Sequence, residues 1–219
     1  MQQRKRLSSA WRWRILAAAL GSIAAASSSA ADDADAAARL VRQTYYEGLP
    51  VDAAAAIGPV GAARLVEMLH DPAERVHGAN IAIALGVAAQ PGAYEALAGA
   101  VDAGASGEID RPLFRLLDTI PLAMGYLARR DDRALAWLVG RAGSRGADPG
   151  WSHGPFRGQA LADQERRRAI AGLGLSGRSG AIAALDAIAA ERANGAGDPE
   201  LGAAVASARD AIRTAAGTH

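Results

Sequence analysis

Four times along the chain, an alanine-rich apolar stretch reaches an apolar–glycine pair, breaks, and starts again. The pairs are Ile57-Gly58, Leu85-Gly86, Met124-Gly125 and Leu173-Gly174. This self-similarity constrains the fold more than any single motif. A helix pair of about 30 residues cannot bury its apolar face alone, so it must stack on further pairs. The glycines lie 28, 39 and 49 residues apart, so the later units carry insertions. Composition places these at Ala103–Arg111 (AGASGEIDR) and Gly143–Leu161 (GSRGADPGWSHGPFRGQAL).

Apolar spacing supports helices in every unit. Leu65, Met68 and Leu69 recur at i, i+3, i+4. Leu113, Leu117, Ile120, Met124 and Leu127 do the same, as do Leu135, Leu138 and Val139, and then Ile182, Leu185 and Ile188. The repeated glycines are expected at the turns between helices. Pro121 is expected to kink the helix it interrupts. Near the C-terminus, Asp198 reads as an N-cap and Pro199 as the first residue of a closing helix. Long β-branched or aromatic runs are absent, and aromatic residues make up only 5% of the chain. The expected fold is all-α, an α-α superhelix of about four helix pairs.

The N-terminus reads as an address. Five basic residues precede Ile15, an apolar run follows to about Ala26, and small residues fill Ser27–Ala31. Residues 1–31 are therefore expected to be a cleaved signal peptide, and residues 32–219 the repeat domain, periplasmic or secreted. Its removal leaves 19 basic against 23 acidic residues. Within that acidic remainder, the stretch Arg129–Arg178 holds ten arginines and five acids.

The units resemble HEAT repeats, in the short form of phycocyanobilin-lyase-type proteins. The segment VHGANIAIALGVAAQPGAYEALAGAV carries the likeness best, with its small-residue first helix, Leu-Gly pair and Gly-Ala opening of the second helix. The resemblance spans most of Asp52–Glu191, and the third unit departs from it at Arg130-Asp131-Asp132. It implies a HEAT-like solenoid and no particular chemistry. HEAT-like di-iron hydroxylases use repeated His-Glu pairs, which this chain does not have.

Candidate chemistry is sparse. With no cysteine, thiol nucleophiles, Cys-ligated zinc and iron–sulfur clusters are excluded. The only lysine is Lys5, so the remainder cannot form a Schiff base or a Walker-type phosphate site. His70-Asp71 with Glu74 and His77 could suggest a metal, but Pro72 breaks the helix between them, and a helix-end histidine suits the macrodipole. The Gly172–Gly177 run lacks the preceding strand that a nucleophile elbow or nucleotide loop needs.

The Gly143–Leu161 insertion is the unusual segment. It gathers Trp151, His153, Phe156 and Arg157 in a Gly/Pro-rich loop, with Trp137 close by. Two readings stand. The loop presents aromatic anchors to a partner, or its rings fold back onto apolar surface. Arg166, Arg167 and Arg168, read near a helix start where the dipole disfavours them, could meet an anionic partner or form a solvated face with pairs such as Asp163–Arg167.

The leading expectation is an exported interaction or scaffold module, binding through Trp137, Trp151, His153, Phe156, Arg157 and Arg166–Arg168. Its partner would be another envelope or secreted protein with an acidic surface. No catalytic residue, metal, cofactor, nucleic acid or membrane span is expected. The alternative is a ligand-binding protein or small-molecule- or metal-dependent enzyme using Asp148, His153 and Arg157.

Overall fold

A computed structural model describes residues 30–143, 150–193 and 199–217. The expected signal peptide lies outside the described residues, except for Ala30 and Ala31, which open the first helix. Asp148 and Asp198 also lie outside them. The described residues are predominantly helical, with ten α-helices and one pair of two-residue strands. No described helix is long and apolar enough to cross a membrane.

The helices are α1 (30–42), α2 (Val51–Ala55), α3 (Pro59–His70), α4 (Gly78–Ala88), α5 (Ala93–Asp102), α6 (Arg111–Leu127), α7 (Asp132–Gly143), α8 (Gly158–Ser176), α9 (Gly180–Ala193) and α10 (Pro199–Gly217). A 3-10 turn, Pro72–His77, links α3 to α4. From α2 onward, the even-numbered helices pack against one another in chain order, α2 on α4, then α6, α8 and α10. Odd-numbered helices lie alongside, with α3 on α5 and α7 on α9.

Helix α4 (GANIAIALGVA) is apolar around its circumference, as a helix covered on all sides must be. Ile81, Ala82, Ala84 and Leu85 are fully covered by their neighbours. The core continues through Ile120 and Met124 of α6, Ile170 and Leu173 of α8, and Ile212 of α10.

The repeated glycines serve this layer rather than the turns. Only Gly58 follows the expectation, as the N-cap of α3 with Pro59 as first helical residue. Gly86, Gly125 and Gly174 lie inside α4, α6 and α8. A methyl group on Gly86 would overlap the Ala123 carbonyl oxygen, and one on Gly125 would sit 2.5 Å from the Gly172 carbonyl oxygen. A methyl group on Gly172 would overlap the Pro121 carbonyl oxygen, and one on Gly174 would sit 2.8 Å from the Ala208 Cα. The missing Cβ lets neighbouring backbones meet directly, which close small-residue packing requires. The turns come later. After α4 the left-handed residue is Ala89, φ 49°, and after α8 it is Gly177, φ 62°.

Helix α6 continues on both sides of the buried Pro121, the position of the expected kink. Another expectation changes. Helix α8 begins at Gly158, inside the expected insertion loop, so Arg166–Arg168 occupy its middle and not its start. Asp163 accepts a hydrogen bond from Gln159 (2.7 Å) rather than pairing with Arg167.

Side chains from neighbouring helices and loops close several helix ends. Asp33 of α1 accepts from the Gly61 backbone N–H at 2.9 Å, supplying an anion at the start of α3. Asn80 donates to the Val41 carbonyl at the end of α1 (2.9 Å). Arg166 and Arg178 donate to the Ala142 and Ala128 carbonyls, and Arg129 to that of Leu175. Cationic donors at helix C-termini satisfy orphan carbonyls and suit the dipole.

Candidate functional site: a cleft beneath two paired insertions

The two insertions, some forty residues apart, fold onto each other. Residues Gly107–Glu108 (β1) and Trp151–Ser152 (β2) pair in parallel, Gly107 opposite Trp151 and Glu108 opposite Ser152. A parallel pair needs a long crossover; here it comprises α6 and α7. Glu108 fastens the second insertion, accepting from the Ser152 hydroxyl (2.8 Å) and the Gly154 backbone N–H (2.9 Å). Those two donors, the backbone N–H foremost, hold its carboxyl below the usual range.

Beneath the strands lies a second, smaller core of Ile109, Trp151 and Leu161. Phe114 organises it. The Trp151 ring meets Phe114 edge-on at 6.2 Å, while the His153 and Phe156 rings stack on it at 4.6 and 5.3 Å. His153 Nδ1 lies 3.0 Å from the Ile109 carbonyl, and Arg157 donates to the Gly154 carbonyl at 3.2 Å. Trp151 is 7% exposed. The aromatic rings of the insertion therefore pack inward.

The arginine triplet divides among three neighbours. Arg166 reaches the Ala142 carbonyl and Glu191 of α9 (3.0 Å). Arg167 reaches Gln164 and Glu200 of α10 (3.3 Å). Arg168 makes a two-pronged pair with Asp118 of α6, at 2.8 and 2.7 Å, and Gln164 also donates to that carboxylate. All three engage groups of the chain itself.

Trp137, Trp151 and Arg168 do converge. They line a cleft of about 170 Å³ between the first insertion and helices α5 to α8. Apolar walls come from Val101, Ala105, Leu117 and Pro121, and charged groups from Asp118, Arg141, Glu165 and Arg168. The Arg141 guanidinium lies over the Trp137 ring, 4.9 Å from its centroid, and 3.8 Å from Glu165. Burial pushes the Glu165 carboxyl up; Arg141 opposes this and Asp118 reinforces it. Asp118, Arg141 and Glu165 are the charged site residues that the sequence reading did not single out. Asp118 had a signal, being the one charged residue in the run Leu116–Ala128.

The histidine–carboxylate group near α3 is otherwise occupied. His70 Nδ1 lies 2.7 Å from the Val66 carbonyl, Asp71 accepts from the Ala73 N–H, and Glu74 pairs with Arg42. Among the described residues, no three of His, Asp and Glu come together as a metal site would require. No protein-family model, curated protein or solved structure matches this chain.

Proposed function

We propose that the chain is an exported α-solenoid of short HEAT-like helix pairs, working as a protein-binding module. Its contact region is the pair of insertions with the cleft beneath them. The observation that carries this reading is the pairing itself. Two segments remote in sequence leave the repeat pattern, and both are built into one surface feature with its own small core. Solenoid insertions gathered on one side are commonly where such proteins bind. The basic n-region, apolar run and small-residue site at 1–31 support export. The chain-order packing of the even helices supports the solenoid. The partner is an envelope or secreted protein.

The test is crosslinking capture from an envelope fraction, comparing wild type with Trp137→Ala/Arg157→Ala. Arg157 is exposed in the second insertion, and Trp137 of α7 lines the cleft while packing on the edge of the main core, so a melting curve of the double variant accompanies the capture. Trp151 is the worse choice, because its loss would collapse the small core. Loss of the captured partner in the double variant, with retention in Arg64→Ala on the distant α3, is the expected result. Equal capture by all three proteins would remove the insertions from the interface.

A further inference from the structure

We infer that the cleft binds a small organic cation that donates N–H hydrogen bonds, an amidinium, guanidinium or primary ammonium, to Glu165. This deepens the reading of the paired insertions as the contact region and rests on it. Binding here is an exchange. A carboxylate whose open side is met by solvent can trade that water for the N–H groups of a ligand. Of the four charged groups lining the cleft, Asp118 is filled by Arg168 and Gln164, and Arg168 is locked by that same pair. Arg141 lies over Trp137. Among the described residues, none donates a hydrogen bond to the Glu165 carboxyl, and its ion-pair contact is a distant one, 3.8 Å from Arg141. Its side chain is 29% exposed, so it opens towards the cleft and is not sealed in the core.

A solvent-met carboxylate in an aromatic-lined recess suits a cation with N–H groups. An anion would find the guanidiniums already committed and Glu165 repelling it. The size of the recess limits the ligand. About 170 Å³ is close to the roughly 150 Å³ of an engineered cavity that holds one benzene ring. The ligand is therefore one ring or one side chain long. It is either a free small cation or the tip of a lysine or arginine from the partner.

Titration calorimetry with the purified chain tests this, using benzamidine, benzoate, and blocked Gly-Arg-Gly and Gly-Lys-Gly peptides. Benzamidine or a peptide should bind, benzoate should not, and Glu165→Gln should lose about tenfold or more in affinity, as loss of a charge-assisted hydrogen bond implies. Its thermal midpoint should hold or rise, so a folding defect would be visible. Affinity should weaken as pH falls and Glu165 takes up a proton. Tighter peptide binding assigns the cation to the partner, and tighter benzamidine binding to a free molecule; either supports the inference. Equal binding of benzoate, unchanged binding by Glu165→Gln, or no binding by any cation overturns it. If partner capture succeeds but is indifferent to benzamidine and to Glu165→Gln, the module stands and this ligand class falls. Benzamidine binding without any captured partner does the reverse.

Discussion

The even-helix layer and the paired insertions are held together in opposite ways. In the layer, contact is made by removing atoms. Gly86, Gly125, Gly172 and Gly174 let backbones touch, and the burial is shared among many small side chains. In the insertions, contact is made by adding them. Phe114, Trp151, His153 and Phe156 bring large rings to a place with little regular structure, and Glu108 supplies the hydrogen bonds. The layer tolerates no added volume; the insertions tolerate no loss of it.

The sharpest way to break this comparison is to add volume in the layer. Gly125→Val should destabilise the protein by about 3 kcal/mol or more, since the overlap is with backbone that cannot swing aside. Gly140→Ala in α7, where a Cβ meets open space, should instead stabilise it by about 0.5–1 kcal/mol through helix propensity. Urea unfolding of the two variants measures both. A Gly125 variant as stable as wild type would show that the layer is not backbone-tight.

Removing volume from the insertions comes next. Trp151→Ala should cost about 3 kcal/mol of local stability, the usual loss for a buried aromatic ring. Hydrogen exchange should rise at the amides of 107–110, 152–154 and 156–157, while α4 keeps its protection. Faster exchange throughout α4 would mean that the two regions unfold as one unit.

The smallest effects are in pH, and they separate the two carboxyls of the insertion region. Glu165 has a raised folded pKa, so its protonated form favours the fold. That contribution is full below the ordinary glutamate range and is lost as pH rises through the raised value. Glu165→Gln should therefore gain on wild type towards neutral pH and match it in acid. Glu108 has a lowered folded pKa, so its contribution holds above the ordinary range and is lost as pH falls through the lowered value. Glu108→Gln should be the less stable protein at neutral pH, and the gap should close in acid. Melting curves from pH 3 to 7 would show the two trends crossing; parallel trends would contradict the assignment of burial to one and hydrogen bonding to the other.

Apolar spacing was enough to find the helices, because each buried stripe, such as Ile120, Met124 and Leu127, repeats at the helical period. The glycines were misread for a physical reason. The turn glycine, after Ile57, and the packing glycines, after Leu85, Met124 and Leu173, all follow a large apolar residue, and only the partner helix distinguishes them. Gly86 lies three residues before the true turn, which Ala89 occupies despite its side chain. The arginine excess was visible as a count, but its direction was not. Arg166, Arg167 and Arg168 are adjacent in sequence, and the helical twist sends them to α9, α10 and α6 respectively. Glu165 carried no mark at all, since its significance depends on Arg141 and Asp118 arriving from two other helices.

The parallel pairing of Gly107–Glu108 with Trp151–Ser152 has a consequence for how this architecture can be recombined. The strand pair turns α6 and α7 into the inside of a closed loop spanning residues 103–161. That stretch is a single cassette, to be moved whole or left in place, and lengthening either insertion alone would pull against the other.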